Sequence, residues 1–297
     1  MPESPWWLVR QDRLDEAEAA VARLTSKDLD IDVQKLVSSM VFTTNHERNV
    51  ESRTSYMACF KGVNLRRTII VMGVYTMQML TGAPLRAWMT YFFLQAGLPA
   101  DQSFNMTIVA LAVSVLGVLG AGAVLTYAGR RRMHLWGNLI SIVLFTVIGG
   151  MGVRLRSSSS TSLSWGIGSL LAVDAFVANL LILPVAFVLV SEIPSSLLRS
   201  KSVVIARNTY TVVNIAAGTI TPYMLNPTAW NWGAMTGFFW AAACAVGFIF
   251  TFFMVPEPKG RTTAEMDILF EKRFMFANYE HWVFTEDLLA PVTRIND

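Results

Sequence analysis

Eight polar side chains sit where oily sequence surrounds them: Gln78, Arg86, Asp174, Asn179, Arg207, Asn208, Tyr210 and Asn214. Against lipid such groups are costly, and they usually face a bundle interior or a water-filled path. An amide both donates and accepts, so Gln78 suits a solute or a neighbouring helix equally. Arg207 lies near the end of its run, where its aliphatic stem can carry the charge to the membrane surface. Arg86 is deeper and needs a partner, for which Asp174 is one candidate. A further group closes an oily run: Ser191 and Glu192 are followed within ten residues by Arg199 and Lys201. Charge-assisted bonds at such a rim can bias two packings that differ by only a few kcal/mol. Anchoring of topology by positive charge alone is the plainer use.

No constellation in the sequence looks enzymatic. His46, His134 and His281 are far apart and outside the oily cores of the runs. There is no HExxH pair, nucleotide loop or cysteine metal pattern. Two cysteines, Cys59 and Cys244, argue against a disulfide framework. A net charge of +3 is weak evidence for a nucleic-acid partner, and none is expected.

The elements that must position these residues are oily helices. The chain has 297 residues, 53% hydrophobic and 15% charged, against about 25% charged in an ordinary soluble domain. Six runs stand out, at residues 69–95, 103–127, 133–153, 165–190, 203–225 and 233–255. Each approaches or exceeds the roughly 20 residues that a helix needs to cross a bilayer, and none alternates with the period of barrel strands. The expectation is an all-alpha membrane protein with six transmembrane helices. Lys61, Arg66, Arg67, Arg130–Arg132, Arg199, Lys201, Lys259 and Arg261 flank alternate ends of the runs. The opposite loops carry only Arg154 and Arg156. The positive-inside rule then places both termini in the cytoplasm.

Residues 1–60 read as a cytoplasmic segment, 61–255 as the six-helix bundle and 256–297 as a cytoplasmic tail. In the first, Leu14, Ala17, Val21 and Leu24 share a helical face. Leu29, Ile31, Val33, Leu36 and Val37 suggest a weaker second helix. The polar stretch TTNHERNVESRTS at 43–55 reads as a linker. Inside the bundle, Gly117, Gly120, Gly122, Gly149, Gly150 and Gly152 permit close helix approach. Pro84, Pro184 and Pro222 mark kinks, and broken helices are common at transporter sites.

Four stretches carry a family resemblance: PESPWWLVRQDR at 2–13, AGRRR at 128–132, PVAFVLVSEIPSSLLRSKS at 184–202 and PEPKGRTTAEMDILFE at 256–271. In order and spacing they resemble the sugar-porter branch of the major facilitator superfamily, closest to the fungal alpha-glucoside and maltose permeases. The resemblance covers nearly the whole chain and corresponds to the C-terminal half of such a transporter. It implies transport of an alpha-glucoside or related saccharide by proton symport in the full-length form, driven by a proton gradient with no other cofactor. The implied setting is a multi-pass protein of the plasma membrane, in a lipid bilayer, with a missing N-terminal half as partner. A non-transporting or sensor-like membrane protein, or a carrier of another small metabolite, stays open beside it.

The resemblance also implies roles for particular residues. Gln78, Phe187, Tyr210 and Asn214 fall at sugar-contact positions. Arg130, Arg131, Glu192 and Arg199 fall in a charge network that latches the cytoplasmic ends of the helices. The chain departs from the family pattern at Met79, where a second glutamine is usual, at Thr126, Leu183 and Pro258, and in the extra charge of Arg86.

Overall fold

In the computed structural model of the protein, residues 3–24, 32–53, 55–157, 160–195, 198–260, 266 and 270 are described. Every regular element among them is helical. The chain divides into two compact units, Met1–Ala58 and Cys59–Asp297.

The first unit holds α1 (Pro5–Arg10), α2 (Leu14–Leu24) and α3 (Val33–Arg53). Pro5 opens α1 at a position that needs no backbone donor. Leu8, Val9, Ala17, Ala20, Val21, Val37 and Met40 form its core. Ala17 and Val21 are buried, whereas Leu14 and Leu24 lie exposed at the ends of α2. The polar stretch expected to be a linker is instead the second half of α3, which continues unbroken to Arg53. Leu29 and Ile31 lie outside the described residues.

The second unit begins its bundle with α4 (Gly62–Leu80), α5 (Ala83–Ala87) and α6 (Met89–Gln95). These three replace the single helix expected over 69–95. Gly82, at φ +81°, takes the left-handed conformation that breaks the run. Pro84 follows and cannot donate to the helical ladder. A Cβ on Gly82 would also lie 2.5 Å from the Phe145 ring. The chain continues through α7 (Ala100–Tyr127), α8 (Arg130–Ser157) and α9 (Thr161–Val177). A π segment at Ala178–Ile182 joins α9 to α10 (Leu183–Glu192). Pro184 follows directly, and a proline, with no N–H to donate and a ring that crowds the carbonyl four residues back, favours such a widening of the ladder. Last come α11 (Arg199–Leu225) and α12 (Thr236–Met254).

Four of the described helical stretches are long and apolar enough to cross a membrane: Ala100–Tyr127, Arg130–Ser157, Thr161–Glu192 and Gly233–Met254. This corrects the expected six. The stretch from Gly62 to Gln95 fails because it is broken and because α4 carries Asn64, Arg66, Arg67 and Gln78. α11 fails on composition: its 27 residues include Arg199, Lys201, Arg207, Asn208 and Asn214. Both still pack into the bundle, α11 lying along α4 and α12 along α8.

One core gathers Phe92, Phe93, Phe145, Ile167, Leu171 and Trp240, all fully buried. A second gathers Ile70, Val74, Val185, Leu189 and Val255. The α8–α12 contact is close because its glycines have no side chains. A Cβ on Gly237 would lie 2.5 Å from the Phe145 carbonyl oxygen, and one on Gly152 would lie 2.7 Å from the backbone at Ala234 and Met235. By contrast α7 turns Ile108, Leu111, Val115 and Leu119 outward, more than half exposed. An apolar outer face of this kind suits lipid.

Candidate functional site

All four expected sugar contacts lie on α4 and the two helices that meet it, Gln78 on α4, Phe187 on α10, and Tyr210 and Asn214 on α11. Tyr75, on α4, joins two of them. Its ring packs edge-on against Phe187 of α10 at 6.0 Å and against Tyr210 of α11 at 5.8 Å. The Arg207 guanidinium lies 4.2 Å from the Tyr210 ring centroid and 5.9 Å from that of Tyr75. Arg207 thus stays beside rings rather than reaching to a helix end, a cation–π arrangement that steadies both aromatic planes. Phe187 keeps about half its surface open.

Gln78 lies one turn beyond Tyr75 on α4. It is buried, and among the described residues its Oε1 has no hydrogen-bond partner. A buried amide oxygen with no partner is costly unless something supplies a donor. Asn214 is one turn beyond Tyr210 on α11 and is exposed. Rings at one level and amides one turn further on make a surface suited to a saccharide: rings cover its less polar face, and amides pair with its hydroxyls. Sequence reasoning missed Tyr75, although its place three residues before Gln78 on a helix was a usable signal.

At the end of the bundle where α8 begins, charges converge. Arg130 Nη2 is 3.3 Å from Glu192 Oε1, both side chains being partly exposed. The residue that organises this end was not foreseen. Glu257, just beyond α12, accepts hydrogen bonds from the backbone N–H of Arg130 at 2.8 Å and of Arg131 at 3.1 Å. It therefore satisfies two of the first-turn donors of α8 from a distant part of the chain, with its charge at the positive end of the helix dipole. A Cβ on Gly129 would collide with that carboxylate. Arg131 donates to the Phe252 carbonyl at 2.9 Å, and Lys259 Nζ donates to the Tyr127 carbonyl at 2.6 Å. Among the described residues Arg199 makes no contact with this group, and its buried Nε has no partner. The closing stretch from residue 261, save Met266 and Phe270, lies outside the described residues, as do residues 196–197.

A third constellation lies in the interior. Arg86 Nη1 donates to Asp174 Oδ2 at 2.8 Å and to the Thr81 carbonyl at 2.8 Å. Ser141 Oγ donates to Asp174 Oδ1 at 2.7 Å. Asp174 and Ser141 are fully buried, and the Arg86 side chain is 10% exposed. The pair pins the break after α4 to α9. Lone charges in oily runs were the signal that found it. His134, expected outside the oily core, is instead fully buried in α8.

At the opposite end a cavity of about 340 Å³ opens between Gln95, Arg156, Ser160, Asn231 and Trp232. None of the expected sugar contacts lines it.

Comparison with known proteins bears on all of these features. The family model described as "Sugar (and other) transporter" matches residues 1–270. The general alpha-glucoside permease of Saccharomyces cerevisiae is 37% identical over 275 residues, which is 91% of this chain and 44% of that protein. Maltose permease MAL61 of Saccharomyces cerevisiae is 35% identical over 273 residues, again 91% and 44%. The chain thus spans less than half the length of these curated relatives. Among solved structures, a proton:xylose symporter of the major facilitator superfamily bound to 6-bromo-6-deoxy-D-glucose superposes with a TM-score of 0.63 at 22% identity. That match covers 91% of this chain and 55% of the symporter, and it speaks for the fold.

Proposed function

Because the chain belongs to the sugar (and other) transporter family, we propose that it supplies one half of a multi-pass permease that carries an alpha-glucoside or related saccharide together with protons. The observation that carries this reading is the Tyr75, Phe187 and Tyr210 ring set, with the unpartnered Gln78 amide one turn away. Gln78, Phe187, Tyr210 and Asn214 contact the sugar, and Tyr75 holds the two rings in place. A saccharide hydroxyl donates to Gln78 Oε1 and removes the cost of its burial.

The group of Arg130, Arg131, Glu192 and Glu257 acts as the latch. It holds the near ends of α8, α10 and α12 together in one packing, and its release permits another. Arg199 joins it in the second packing. The plasma membrane is the proposed setting, with the Arg130 end and both termini in the cytoplasm. A first half, the part of such a permease that the match to its relatives leaves uncovered, completes the path. Saturable uptake of labelled maltose or another alpha-glucoside by membrane vesicles containing the complete permease tests the reading. Gln78→Ala is expected to lower that uptake at least tenfold. Uptake no greater than in vesicles without the protein would overturn it.

A further inference from the structure

The face of α8 that carries Ser141 continues toward the Arg130 end as a polar stripe. His134, Asn138, Ser141 and Phe145 follow at spacings of four, three and four, the recurrence of one helix face, and all are fully buried. They meet Thr251, Gly247, Cys244 and Trp240 of α12, which recur in the same way. His134 Nδ1 is 3.0 Å from Thr251 Oγ1 and 3.0 Å from Asn138 Nδ2. Asn138 also donates to the His134 carbonyl at 2.7 Å. Among the described residues, three polar atoms in this region have no protein partner: His134 Nε2, Asn138 Oδ1 and Arg86 Nη2. Gly247 leaves room beside one of them, since a Cβ there would lie 3.0 Å from Asn138 Oδ1. Buried orphaned groups of this kind are satisfied by ordered water. The stripe begins one turn from Arg130, at the charged end, and reaches Ser141 roughly 16 Å along the axis.

We propose that Asp174 is a proton-binding site inside the bundle, that Arg86 is its standing counter-charge, and that the His134–Asn138–Ser141 face of α8 is the route by which protons reach it from the Arg130 end. A carboxylate and a histidine in line inside a membrane bundle are the parts of a proton relay. The contacts of Arg86 suit the exchange. Nη1 already bridges Asp174 and the Thr81 carbonyl, so a proton arriving on Asp174 leaves the guanidinium charged and still bonded. The added proton resides on a carboxyl oxygen, and its departure restores the ion pair. Arg86 from α5 is the charged group whose field reaches Asp174, and both of them act in turn on the Cys244 thiol of α12. α7 presents Ala110, Gly117 and Ala121 on its buried side and no titratable group.

The purpose of such a site rests on the transport reading, but its detection does not. Infrared difference spectra of the purified 297-residue chain in lipid nanodiscs, between pairs of pH values from roughly 4 to 9, read the carbonyl stretch of a protonated carboxylic acid without sugar or flux. The expected result is a band that shifts when the chain is grown with carbon-13 aspartate and disappears in Asp174→Asn. In Asp174→Glu it should persist but lose its response to labelled aspartate, which keeps the assignment secure if Asp174→Asn does not fold. His134→Gln should leave the band in place and slow its deuterium exchange at least tenfold. A chain with no such aspartate band at any pH holds Asp174 as a permanent anion, and the proposal fails. An unchanged exchange rate in His134→Gln removes the route.

Discussion

Tyr75 holds two ring contacts at once, so its loss should be felt by Phe187 and Tyr210 together. Aromatic pairs are worth about 0.5–1.5 kcal/mol each. Tyr75→Leu is therefore expected to weaken the proposed alpha-glucoside binding roughly 5- to 150-fold by titration calorimetry, while Tyr75→Phe stays near the parent. Glu257→Gln tests a different kind of contact. The carboxylate caps backbone donors of α8, and its charge there is worth about 1 kcal/mol. Thermal unfolding in nanodiscs should fall accordingly, and raised salt should shrink the difference. Residues of this scale were unevenly legible. Arg86 and Asp174 could be paired in advance because a charge in oily sequence demands a partner. Glu257 could not, because its donors lie 126 and 127 residues earlier and no local pattern links them. His134 was passed over because one histidine without neighbours in sequence carries no signal, and its partner Thr251 is 117 residues away.

At the scale of elements, the bundle depends on how closely α8 and α12 approach. Gly237→Val should place methyl groups against the Phe145 carbonyl and the Gly149 backbone. Overpacking of this kind costs about 1–3 kcal/mol, visible as a lowered unfolding temperature. Gly218→Ala, where nothing lies within 4 Å, should leave that temperature unchanged within about 0.5 kcal/mol. Helix type was legible from the oily runs, since their length excludes strands. Where the runs break was legible only in part. Pro184 announced a distortion, and the π segment lies just before it. Pro84 likewise announced a kink in the first run, but the left-handed turn at Gly82 was not foreseen, because a glycine between Thr81 and Ala83 is silent until Phe145 is seen to fill the space a side chain would need. The polar end of α3 misled in the other direction: its composition reads as linker, yet the helix runs on to Arg53.

On the scale of the whole molecule, the two units have separate cores. Removal of residues 1–55 is expected to leave the mean helicity of the remaining chain and the proposed binding of alpha-glucoside within twofold of the parent, measured by circular dichroism and calorimetry. Counting oily runs overstated the membrane helices, because α4 carries Asn64, Arg66, Arg67 and Gln78, and α11 carries Arg199, Lys201, Arg207, Asn208 and Asn214. The family was legible elsewhere, in the motif stretches at 2–13, 128–132, 184–202 and 256–271. The Arg86–Asp174 pair has a last consequence, in the time the chain takes to be made. Arg86 leaves the ribosome 88 residues before its partner. At usual elongation rates it waits on the order of ten seconds, charged and unpaired, at the edge of an oily segment. Until α9 emerges, α4 through α6 cannot settle beside lipid and must shelter in the insertion machinery. A nascent chain halted before residue 174 should therefore still be cross-linked to that machinery through Arg86, and one halted after α10 should be free of it.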